Sequence, residues 1–271
     1  MSGHTLAMDD ANATELNCLY SPTDNVVYCY VPRAACSTLR AVWMQIHAVD
    51  ECNRHPALRR RGYHTVQRRW PKAKAEEVTQ GYVIVRHPFS RAISSYELSR
   101  QSPELMFSRE LTAPDITFRQ FCHLLLEKSR TGELSTLNEH VRPVTKLLLP
   151  ETLDKLSVIK LEDGPLIQNV VDWYTNGFGT DSDVAVRAQQ ACATASTHNV
   201  KERRAHGCCV VDEVYNPERP APLRTEYTDP ECMAAVEEAY RRDYATFSYA
   251  PGCEAFRALQ NRSQGPAFVA T

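Results

Sequence analysis

Two arginines and a few hydroxyls stand where they could grip an anion. Arg33 lies in the stretch VVYCYVPRAACSTLR (26–40) and is followed by Ala34, Ala35, Cys36, Ser37 and Thr38. Arg86 lies in GYVIVRHPFSRAISSY (81–96), with Ser94 about two helical turns beyond it. A guanidinium carries a permanent charge and a planar fork of donors suited to phosphate-type oxygens. The hydroxyls of Ser37, Thr38 and Ser94 add neutral donors. Small residues at a tight turn also let backbone N–H groups converge on one point.

The elements that position these residues follow from hydrophobic patterning. Val26 to Val31 is an unbroken apolar and aromatic run that ends at Pro32, which reads as a strand buried on both faces. Leu39, Val42, Trp43 and Ile46 then recur at helical spacing, so a helix runs to about His47. The unit is strand, small-residue turn, helix, and the positive end of that helix faces the turn. Tyr82 to Val85 is a second strand with Arg86 at its end. Pro88 suits a first helical position, and Phe89, Ile93 and Tyr96 give that helix a core face to about Gln101. Ser157 to Leu161 is a short third strand, punctuated by Glu162, Asp163 and Gly164 and followed by a helix over Leu166 to Tyr174. Three such units imply an α/β fold with a doubly wound, parallel, three-layer sheet. Its ligand should lie at the carboxyl ends of the strands, with Arg33, Arg86 and the residues around His140 on one rim. The first turn lacks the spacing of a Walker A loop. Taken alone, it is equally an ordinary βα turn with a surface arginine.

Taken together, the two stretches resemble the cofactor motifs of the sulfotransferases, closest to the carbohydrate sulfotransferase group (sulfotransferase family 2 type). VPRAACSTLR is similar to their 5′-phosphosulfate loop. RHPFSRAISSY is similar to their 3′-phosphate motif, with Arg86, His87, Pro88, Phe89, Arg91, Ser94 and Tyr96 all in place. NEHVRP (138–143) resembles the family's segment of a His two residues before a position followed by Pro, and VEEAYRRDYATFSY (236–249) resembles its C-terminal signature. The four matches keep the family's order. The resemblance implies a P-loop-like sulfotransferase fold and 3′-phosphoadenosine 5′-phosphosulfate (PAPS) as sulfuryl donor, with PAP as product and no metal. It places the phosphosulfate on Arg33, Ala34, Ala35, Cys36, Ser37 and Thr38, and the 3′-phosphate on Arg86 and Ser94. Glu162 matches an acidic residue that ends a family strand and is expected to be structural.

Sulfuryl transfer asks a protein for positioning and charge stabilisation as negative charge grows on the leaving phosphate. Arg33 is expected to neutralise that charge; at neutral pH an arginine cannot give up a proton. The acceptor hydroxyl or amine must lose one, and His is the usual base near pH 7. Of nine histidines, His140 matches the family's regular position, with His87 and Glu139 behind it. Leu39 and Val141 stand where the family often has Trp, which leaves the acceptor open between a carbohydrate and a small metabolite. Two other readings stay open: a phosphotransferase of related architecture, which a Mg²⁺ requirement would mark, and a non-catalytic PAP-binding protein.

The chain has 271 residues, 43% of them hydrophobic, enough for one large α/β domain. The net charge of −2 gives no reason to expect nucleic acid as a partner. The expected organisation is an N-terminal arm over 1–24, a domain over 25–250 and a tail over 251–271. Basic residues cluster at Arg59, Arg60, Arg61, Arg68 and Arg69. Lys201, Arg203, Arg204 and Arg224 are candidates for a loop over the nucleotide. Further helices are expected over Ile116 to Lys128, Val184 to Ala195 and, as one long helix, Asp229 to Tyr244. No window is apolar enough to span a membrane, and the N-terminus lacks the pattern of a signal peptide. The ten cysteines show no metal-ligand spacing. These features favour a soluble, cytoplasmic chain with reduced thiols; the Golgi lumen is the alternative if an N-terminal anchor has been removed.

Overall fold

The computed structural model describes residues 18–47, 78–101, 111, 113, 116–148, 150–198 and 227–263. Four strands form one sheet in the order β1 (Cys18–Ser21), β2 (Val26–Cys29), β3 (Gly81–Val85) and β4 (Leu156–Lys160). β2, β3 and β4 are parallel, with Tyr28 beside Tyr82 and Tyr82 beside Ser157. Every residue of β2 and β3 is buried, as expected for central strands covered on both faces. At the β4 edge, Ser157 and Val158 are exposed.

Two helical groups flank the sheet. α1 (Cys36–His47) follows β2, and α2 (Pro88–Gln101) follows β3. α3 (Phe118–Arg130) begins at a Thr117 capping box: the Thr117 hydroxyl accepts from Gln120 N, and the Gln120 side chain accepts from Thr117 N. The short α4 (Pro150–Leu153) precedes β4. α5 (Leu166–Phe178) and α6 (Asp183–His198) follow it, and α7 (Pro230–Ala239), α8 (Arg241–Thr246) and α9 (Cys253–Ser263) complete the described chain. α1 packs on α6 and α6 on α5, while α2 and α3 pack on α7. The core is aromatic: Tyr28 stacks on Tyr82 with ring centroids 5.0 Å apart, and Tyr82 meets Trp173 at 4.8 Å. Among the described residues, no helix is long and apolar enough to cross a membrane.

The α/β architecture and mostly parallel sheet agree with the sequence reading, and four details differ. Cys18–Ser21, assigned to the arm, forms β1 and pairs antiparallel with β2, so the sheet is not all parallel. The strand expected to reach Val31 leaves the ladder after Cys29. Ala34 N donates to Val31 O (3.1 Å) to turn the chain, yet Tyr30 and Val31 stay buried. The long helix expected over Asp229–Tyr244 breaks at Tyr240, whose φ of −111° and ψ of 26° are not helical. Residues 253–263, read as part of a tail, form α9, and its fully buried Phe256 packs on Phe89. The Arg59–Arg69 cluster, Lys201, Arg203, Arg204 and Arg224 lie outside the described residues.

Candidate active site

The turn between β2 and α1 is built by two residues in the left-handed region. Arg33 has φ of 68° and Ala35 φ of 56°, with Ala34 buried between them. Such alternation turns successive backbone N–H groups inward. The helical ladder of α1 starts with Leu39 N donating to Ala35 O (3.1 Å). The amides of the first turn before it point out of the helix end, toward the turn. Cys36 and Thr38 are half-buried there, and of Ser37 the backbone alone is described.

Parallel register brings the second turn beside the first. Arg33 Nε and Nη2 both donate to Ser94 Oγ, at 2.9 and 2.7 Å. Arg86 Nη1 donates to the Arg33 carbonyl oxygen at 3.0 Å. Arg33, Arg86 and Ser94 therefore form one cluster, although the sequence reading assigned them to two ends of one ligand. Arg91 completes it. Its Nε donates to Pro32 O (3.2 Å) and its Nη2 to Glu139 O (2.8 Å), so it ties the first turn to the segment that carries His140. Among the described residues, the hydrogen bonds of all three guanidiniums go to neutral oxygens. Arg86 and Arg91 are buried, and burial pulls the Arg33 and Arg91 pKa values down. Positive charge held out of water without a hydrogen-bonded carboxylate is costly. Such a cluster fits an anionic ligand.

His140 enters from the 138–143 segment. Asn138 Oδ1 accepts from His140 N (2.9 Å) and lies on His140 Nδ1. An amide oxygen only accepts, so Nδ1 carries the proton and Nε2 keeps its lone pair. Burial lowers the His140 pKa, and Arg33, Arg91 and Arg40 lower it further against the pull of Glu139. The ring is therefore neutral at pH 7 and close enough to the arginine cluster to feel it. Its backbone is held as well: Ser95 Oγ donates to His140 O (2.6 Å).

The C-terminal signature fixes the same segment. Tyr240 Oη donates to Val141 O at 2.6 Å. The Asp243 carboxylate accepts from Val144 N (2.7 Å), Thr145 N (2.9 Å) and Thr145 Oγ1 (2.8 Å). The break at Tyr240 is what lets both side chains reach the segment. Sequence reading singles out this signature and Arg91 but gives them no role. The signal is their place inside matched motifs, not any local pattern.

His87 is no base. Its ring is packed by Tyr244, Tyr249 and Phe256, and burial holds its pKa down to about 4. Glu162 is structural, as expected: its carboxylate accepts from His87 N (2.9 Å) and Tyr249 Oη (3.1 Å), and burial raises its pKa to about 7. It thereby anchors the turn that holds Arg86. Among the described residues, no group of three His, Cys, Asp or Glu is arranged to hold a metal ion.

A family model described as "Sulfotransferase family" matches residues 17–250. The chain belongs to the sulfotransferase family. Mouse "Carbohydrate sulfotransferase 12" is 25% identical to this chain over 201 residues, which cover 58% of the chain and 48% of that protein. The chain thus spans about half the length of the curated relative it matches. No solved structure matches it. The family match begins at the residue before β1 and ends just after Tyr249, so it takes in the whole sheet and every residue of the cluster.

Proposed function

We propose that this sulfotransferase moves the sulfuryl group of PAPS to a hydroxyl of a carbohydrate acceptor. The observation that carries the reading is the cluster of Arg33, Arg86, Arg91 and Ser94, in which every guanidinium hydrogen bond among the described residues falls on a neutral oxygen. The first-turn amides of α1 and the Cys36–Thr38 stretch would hold the phosphosulfate, and Arg86 with Ser94 the 3′-phosphate. His140 Nε2 takes the proton of the acceptor hydroxyl as its oxygen attacks sulfur. The bond from sulfur to the bridging phosphate oxygen breaks, and PAP leaves with the charge that Arg33 offsets. The name of the mouse relative supports a carbohydrate acceptor.

The test is turnover with PAPS against a panel of glycans and of small hydroxylated or amino metabolites, with mass spectrometry of the products. Sulfated glycan with stoichiometric PAP is the expected result. Sulfation of metabolites alone would overturn the acceptor class, and no transfer to any acceptor would overturn the activity. Arg33→Ala should cost at least about 100-fold in kcat, the scale of losing one donor aimed at a developing charge.

A further inference from the structure

The fold brings four of the ten cysteines together as two buried pairs, none of them among the residues assigned to the site. Cys18 and Cys29 are register partners across the antiparallel β1–β2 ladder, so their side chains leave the same face directly opposite one another. Partners in such a ladder have Cα atoms about 4.5–5.5 Å apart, inside the span of about 4.4–6.8 Å that a disulfide needs. The second pair lies between α3 and α7. These helices run parallel with a constant offset: Arg119 pairs with Asp229, and Ser129 Oγ donates to Ala239 O, each across 110 residues. Cys122 and Cys232 have the same offset and sit between those two contacts, fully buried. All four are free thiols in the structure, and each pair is close enough for Cys18 to raise the Cys29 pKa and Cys232 that of Cys122.

We propose that Cys18–Cys29 and Cys122–Cys232 are two disulfide sites, closed when the chain folds against an oxidant of the disulfide class such as oxidised glutathione. One thiolate attacks the oxidant's sulfur and expels a first glutathione thiolate. Its partner attacks the resulting mixed disulfide and expels the second. Each protein pair is oxidised, losing two hydrogens, and one glutathione disulfide is reduced to two thiols. Mutual contact and burial raise the Cys29 thiol, and burial and contact with Cys232 raise the Cys122 thiol. Such thiols are poor nucleophiles in the finished fold, so closure belongs to folding itself. The bonds would tie the edge strand to β2 and α3 to α7, independently of donor or acceptor. They reverse the expectation of reduced thiols for a chain made in an oxidising compartment.

The test is to unfold and reduce the full chain, then refold it in a mixture of reduced and oxidised glutathione. Remaining thiols are blocked and the linkages mapped by non-reducing peptide mass spectrometry. Refolding in reductant, and oxidised glutathione added to the folded reduced chain, run in parallel. The expected result is both linkages in the oxidised refolding, with a higher thermal midpoint than the reduced chain, and slow or no linkage in the folded reduced chain. Cys18→Ser should leave Cys29 open to blocking while Cys122–Cys232 still forms. Recovery of either pair as blocked thiols after oxidative refolding, or linkage to other cysteines, overturns the proposal.

Discussion

At the scale of single residues, the site is a set of charges whose states follow from burial. His140 is neutral at pH 7 because burial and three nearby arginines lower its pKa from the ordinary 6.5. Protonation on the acid side removes the proposed base, so kcat/KM, which follows the unliganded chain, should be level through neutrality and fall only below pH 6.5. Initial rates across pH check this, and an acid limb above 6.5 would contradict it. His140→Ala should lower kcat about 100-fold or more while leaving PAP affinity near normal, the scale of losing a general base. Glu162 titrates in the opposite sense. Its pKa rises from 4.5 unfolded to about 7 folded, so the folded state holds the extra proton between those values. The stability it contributes is present below pH 4.5 and is lost as pH rises toward 7, at a slope of at most about 1.4 kcal/mol for each unit of pH. Glu162→Gln should flatten that slope in denaturation curves taken at pH 5 and 7.5.

At the scale of elements, the sequence was legible where pattern and motif agreed. The strand before Arg33, the strand before Arg86 and Pro88 at the start of α2 could all be read from the chain, because each rests on local chemistry. Asp229 Oδ1 accepts from Cys232 N at 2.9 Å, as an N-cap should. β1 was not legible: CLYS is four residues long, and only its pairing with β2 makes it a strand. The break at Tyr240 was equally hidden, because the groups that Tyr240 and Asp243 reach there, Val141 O and Val144 N, lie 99 residues away. Nor could spacing reveal that Arg33 would rest on Ser94, 61 residues along the chain. Gly81 carries a constraint the sequence did not announce. A methyl there would overlap Val27 Cγ1 and the Val27 carbonyl oxygen and come within 2.9 Å of Leu156 Cδ2. Gly81→Ala should therefore cost about 3 kcal/mol of stability by chemical denaturation, since backbone cannot yield as a side chain can. It should also weaken anion binding, because the strand that shifts carries Arg86.

At the scale of the molecule, the C-terminal region closes onto the centre of the chain. Asp243 and Tyr240 hold the 138–146 segment from α8 and the helix break, and Arg91 holds it from α2. The candidate base is thus positioned from two sides, by the C-terminal helices and by α2. Asp243→Asn keeps the size of the side chain but weakens its grip on two backbone amides. It should lower kcat about tenfold with PAP affinity unchanged, and a matching loss in both would mean a general loss of fold. The central claim is that this fold reads a 3′-phosphate, and calorimetric titration of the full chain with PAP, with ADP as control, tests it most directly. Tight PAP binding, weak ADP binding and loss of the difference in Arg86→Ala are the predicted results; equal affinity for PAP and ADP would contradict the account.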